Sequence, residues 1–196
     1  MNYKCETYDI IIAFLKSHKN KDYAHPYIES FYKGKNVSIW NTHYLLGQIL
    51  RQFNIPEERY FISEKSLNKW KEITNKNIRD FYYREKVVCE NDNVEIEEFK
   101  GASKKGITRI INKGDTFIFR DVFHLEHMIP IKVIEDELLS LKDDELDYDH
   151  VDSILNKLYI CRILKTEDRK IENKYKRSSD IEDIIKNVYR NIKVIR

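Results

Sequence analysis

Cysteine is scarce and scattered. Cys5, Cys89 and Cys161 are odd in number, far apart and without a Cys-x-x-Cys pair, which argues against both a disulfide framework and a thiolate zinc knuckle and fits a reducing, cytoplasmic compartment. Charge of one sign is not in excess either: 35 Lys and Arg against 33 Asp and Glu leave a formal +2, so net charge alone points to no polyanionic partner. The apolar run Ile10–Leu15 is far shorter than the ~20 residues of a membrane span, and charge comes early in Met1–Glu6, so the run is read as core. The segment Gly101-Ala102-Ser103-Lys104-Lys105-Gly106 lacks the Gly-x-x-x-x-Gly-Lys-Ser/Thr pattern that cradles phosphates, which leaves nucleotide hydrolysis unsupported. There is no internal repeat and no low-complexity tract. At 196 residues and 41% hydrophobic content, the chain has the means to bury one good core, with room for a smaller lobe.

Apolar residues recur at helical spacing from Tyr8 to Leu15 and from Thr42 to Phe53, predicting amphipathic helices that pack on each other. Asn54-Ile55-Pro56 breaks the pattern, and Leu67, Trp70 and Ile73 then mark a further helix with Trp70 as its anchor. From about Lys86 the character changes. Val87–Cys89, Val94–Glu97 and Thr116–Phe119 are short β-type runs divided by turn signals, and Arg120-Asp121 reads as a tight turn into a second strand, Val122–Met128, ended by Pro130. Helical spacing returns at Val133–Leu141. Thr166 is a candidate N-cap for a helix from Glu167 toward Tyr175, and Ile181, Ile184, Ile185 and Val188 define a closing helix. The class is α+β, with a helical N-terminal region over residues 1–85 and a β-rich segment leading into a compact C-terminal unit over 86–196.

One stretch stands out chemically. His124-Leu125-Glu126-His127-Met128-Ile129-Pro130 sets a carboxylate and two imidazoles inside four residues. Phosphodiester hydrolysis needs a base to activate water and a cation to stabilise the charge that develops, and an imidazole with its ordinary pKa near 6.5 is suited to the first task. Glu126-His127-Met128-Ile129-Pro130, then Asn156-Lys157-Leu158-Tyr159-Ile160, then a helix opening with Glu167-Asp168-Arg169-Lys170, together resemble the HNH, or ββα-metal, endonuclease family over roughly residues 116–174. The resemblance implies that His127 is the general base, Glu126 a metal ligand and Asn156 the residue that orients the His127 ring. The family usually supplies its last ligand as His or Asn; Asp168 takes that place here, with Glu167 beside it. Two carboxylates plus water favour Mg²⁺ or Mn²⁺ over zinc. His124 falls on the opposite face of a regular strand from His127, where it contacts phosphate, supports the site from behind or packs. His150 lacks a following apolar-Pro element and reads as part of an exposed acidic loop, directly after the acidic stretch Asp143–Asp149.

Basic residues crowd both sides of this stretch. Lys104 and Lys105 precede it, and Arg162, Arg169 and Lys170 follow; such residues would neutralise phosphates and make binding fall with salt. The function implied is metal-dependent cutting of DNA, with RNA not excluded, in restriction or phage defence; a homodimer or a defence-system protein are the protein partners it allows, and no membrane is involved. Two rivals stand beside it. One is a non-catalytic nucleic-acid- or partner-binding protein with a degenerate metal site. The other is a PD-(D/E)xK nuclease using Asp92, Glu98 and Lys100.

Overall fold

Tyr8, Ile11, Ile12 and Leu15 are buried at three- and four-residue steps, the spacing that gives one helix face to a core. In the structure, a computed structural model that describes residues 3–19, 39–81, 84–91, 94–99, 106–111, 113–171 and 180–196, they lie on α1 (Tyr3–Lys19). The chain continues through α2 (Ile39–Arg51), β1 (Tyr60–Ser63), α3 (Glu64–Ile73), β2 (Lys86–Val88), β3 (Val94–Phe99), β4 (Gly106–Ile111), β5 (Thr116–Ile118) and β6 (Phe123–His127). Then come α4 (Ile131–Ser140), α5 (Tyr148–Leu155), β7 (Ile160–Leu164), α6 (Lys165–Asp168), α7 (Ile181–Asn187) and β8 (Val194–Ile195). The fold is α+β.

The chain divides into two units, each discontinuous in sequence: residues 1–55 with 129–158, and residues 56–128 with 159–196. This differs from a single cut near residue 85, because β6 and β7 flank residues 129–158 and pair with each other in the second unit. The first unit is helical. Leu46 and Leu50 of α2 and Ile131, Ile134 and Leu138 of α4 are buried, and α2 packs on α4 at Gly47. A Cβ there would overlap Glu135 Oε1 and stand 3.0 Å from Arg51 Nη1, so a larger residue would have to push those two side-chain ends aside. The Tyr8 hydroxyl donates to Asp152, and its ring stacks on Tyr148 at 5.7 Å, which seats α1 on α5.

The second unit is built on a mixed four-stranded sheet in the order β6-β7-β1-β8. β1 runs parallel to β7, while β6 is antiparallel to β7 and β8 antiparallel to β1. Ser63 ends β1 and caps α3, accepting from Ser66 N at 3.0 Å. From α3, Trp70 reaches Phe81, Phe119 and Phe123 with ring centroids 4.7, 5.5 and 5.6 Å away, in edge-to-face geometry. β2 pairs with β5 and β3 with β4 as separate two-stranded ribbons.

Several local expectations are corrected. The strand ending in Glu126-His127 is not hairpinned to Thr116–Phe119: β5 pairs with β2, Phe119–Asp121 is a 3-10 turn, and β6 finds its partner in β7. The helix expected from Glu167 begins at Lys165 and ends at Asp168, because Glu167 rather than Thr166 satisfies its first turn; residues 172–179 lie outside the described set. The closing helix stops at Asn187, since the chain must extend again for Val194 and Ile195 to pair with β1.

Candidate metal centre

β6 is an edge strand, and period-two alternation sets His124 and Glu126 on one face, apart from Phe123, Leu125 and His127. Its register with β7 pairs Phe123 with Leu164 and Glu126 with Cys161, so the helix that follows β7 starts alongside the beginning of β6. Lys165 N donates to Val122 O at 3.1 Å and fastens that junction. Asp168, in the single turn of α6, is thereby returned to the face that bears His124 and Glu126. His124 Nε2 is 3.0 Å from Glu126 Oε2 and 3.7 Å from Asp168 Oδ1. One ligand atom from each of the three residues lies within 4.8 Å of the other two, and among the described residues this is the group able to hold an ion. The side chains of His124, Glu126 and Asp168 are 32%, 13% and 28% exposed, accessible enough for ion and substrate yet partly withdrawn from water.

What holds Asp168 in place is its neighbour. Glu167 is buried, and its carboxylate accepts from Leu164 N at 3.0 Å and from Ser63 Oγ at 2.5 Å. Glu167, beside Asp168 in the sequence, is therefore a buried residue that holds the turn through Oε2 rather than an added ligand. Cys161, opposite Glu126, is buried; desolvation first, then the charges of Glu167 and Glu126, push its thiol well above the usual range, and it stays protonated.

No family model, no curated protein and no solved structure matches the chain. Of the residues that the sequence singles out, the geometry brings together Glu126 and Asp168. His127 is adjacent but alternates to the other face of β6, so the imidazole within the cluster is that of His124. Its signal was present in the sequence: two residues from Glu126 is the spacing of one strand face.

Asn156 belongs to the other unit. It ends α5, and its side-chain amide donates to Asp152 Oδ2 at 2.8 Å, as a residue finishing a helix does. His150 sits in the first turn of α5 and contacts Asp147 at 2.8 Å; that hydrogen bond raises the imidazole pKa, while the His150 backbone and side-chain bonds lower that of Asp147. Both serve the helix end.

Arg162 is a correction of a different kind. As a middle residue of β7, a strand with neighbours on both sides, it is only 2% exposed. Its guanidinium lies 4.6 Å from the Phe119 ring centroid and 5.4 Å from that of Tyr60, and it donates to Phe81 O. Burial pushes its pKa down to about 10, so it remains charged at neutral pH without facing substrate. Arg162→Ala is expected to cost about 2–4 kcal/mol of stability, read as an earlier urea midpoint, with the salt slope of nucleic-acid binding unchanged. A slope reduced by about one in a folded variant would return Arg162 to the substrate surface.

Arg169 and Lys170 are exposed directly after Asp168, where substrate contacts are expected. Lys104 and Lys105 lie outside the described residues, as do Asp92 and Lys100 of the alternative nuclease pattern; Glu98 falls in β3.

Proposed function

We propose that the protein is a divalent-metal-dependent nuclease of the HNH type, acting on DNA phosphodiester bonds. The observation that supports this most is the convergence of Glu126, from an edge strand, with Asp168, from the helix after its sheet partner, around a point also reached by an imidazole. The donor set suits a divalent cation: two carboxylates and a nitrogen, partly exposed on an open edge. Bound there, such an ion would supply Lewis-acid stabilisation of charge on the phosphate oxygens. His127, on the opposite face of β6 from the cluster, is the base that the resemblance implies for the attacking water, while Glu126 and Asp168 would hold the ion. Arg169 and Lys170 neutralise flanking phosphates.

A reducing, cytoplasmic setting belongs to the same proposal, supported by Cys89 and Cys161 being buried free thiols and by no described helix being long and apolar enough to cross a membrane. A role in restriction or phage defence accords with such an enzyme by analogy. The test is digestion of plasmid DNA and of an unstructured RNA by the purified protein with Mg²⁺, with Mn²⁺ and with EDTA. Nicking of DNA that needs metal and is abolished by EDTA is the expected result. Binding without cutting under every ion would instead identify a nucleic-acid-binding protein with a degenerate site, and RNA cleavage alone would change the substrate.

A further inference from the structure

We propose that His124 is a ligand of the metal centre and that it sets the ion, favouring Mn²⁺ over Mg²⁺. This rests on the reading of Glu126 and Asp168 as ligands, and it goes beyond that reading by adding a nitrogen donor from the same face of β6.

The geometry carries the assignment. Atoms held about 2.1 Å from one cation at roughly right angles lie about 3 Å apart. His124 Nε2 stands 3.0 Å from Glu126 Oε2 and 3.7 Å from Asp168 Oδ1, so all three donors are already presented to one point. Two of them are fixed by alternation along β6, and the third by the Lys165 N to Val122 O bond and by the buried Glu167 clamp. Little rearrangement is needed beyond exchanging the His124–Glu126 hydrogen bond for bonds to the ion.

Chemistry then selects the cation. Mg²⁺ prefers oxygen ligands and gives up water reluctantly. Imidazole nitrogen suits first-row transition ions, whose affinities rise from Mn²⁺ toward Cu²⁺. Two carboxylates and one neutral imidazole also balance the ion's two charges, leaving the remaining positions for water and phosphate. A simple ion pair between His124 and the carboxylates predicts none of this selectivity.

The test is calorimetric titration of the full chain with Mn²⁺ and with Mg²⁺, which requires no catalysis. Wild type is expected to bind Mn²⁺ at least about tenfold more tightly than Mg²⁺. His124→Gln should weaken Mn²⁺ by about tenfold or more, with Mg²⁺ changed by less than about threefold. His124→Asp, which restores a charged oxygen donor, should shift the preference toward Mg²⁺. Melting temperatures in EDTA identify folded variants. Wild-type Mn²⁺ affinity retained in both His124 variants would make His124 an ion-pair partner only, with the carboxylate centre intact. Wild type and Asp168→Asn binding Mn²⁺ equally would overturn the centre itself, and this inference with it.

Discussion

Replacing His127 with alanine is expected to slow metal-dependent cutting of plasmid DNA by about a hundredfold to ten-thousandfold, while DNA binding and Mn²⁺ binding remain those of the wild-type protein. The reason is a division of labour across an edge. Glu126 shares its face of β6 with His124, and His127 falls on the other, so losing the imidazole of His127 leaves the three proposed ligands where they were. Glu126→Gln should behave differently: it removes a charged ligand, and both ion affinity and cutting should fall together. Single-turnover rates at saturating metal, set beside calorimetric ion affinities, separate the two. A His127→Ala protein that cuts as fast as wild type would remove that residue from the reaction.

Trp70→Ala carries the largest expected effect on stability, about 3–5 kcal/mol, a substantial share of the 5–15 kcal/mol typical of a whole domain. The indole is 1% exposed, touches three phenyl rings, and donates its Nε1 hydrogen to Lys76 O at 2.6 Å. Truncation would leave a large void beside Phe123, the first residue of β6, and deprive a carbonyl of its partner. Urea unfolding should show a much lower midpoint for Trp70→Ala and a smaller loss for Trp70→Phe, which keeps part of the ring contact. A midpoint for the alanine variant close to wild type would mean that this cluster is not a principal support of the second unit.

Much of this was legible because local spacing reports local structure. The faces of α1, α3 and α4 are written in residues three and four apart, among them Ile11 and Leu15, Trp70 and Ile73, Ile134 and Leu138, and their burial follows. Glu126 and Asp168 stand out in the sequence through a motif and a helix-opening pair of acids, and the fold brings them together. What was not legible depended on partners distant in sequence. Nothing near Thr116–Phe119 indicates that it pairs with Lys86–Val88, or that Phe123–His127 awaits residues 160–164, so a hairpin between neighbours was the natural misreading. Arg162 and Glu167 were misjudged for a related reason. Charged side chains next to a motif look like site residues, and only the surrounding sheet reveals that one is packed between rings and the other spent on Ser63 and Leu164. Ser63 is equally silent in sequence, although it joins the start of α3 to the Glu167 turn.

The parallel pairing of Tyr60–Ile62 with Ile160–Arg162 has a consequence for the chain as it is made. Contacts of such wide separation raise contact order and slow folding, and β7 has to be inserted between β1 and β6. A growing polypeptide therefore reaches no state in which Glu126 and Asp168 meet until translation has passed Asp168. An activity of the kind proposed would be switched on late in synthesis, and partial products released earlier would carry Glu126 without Asp168.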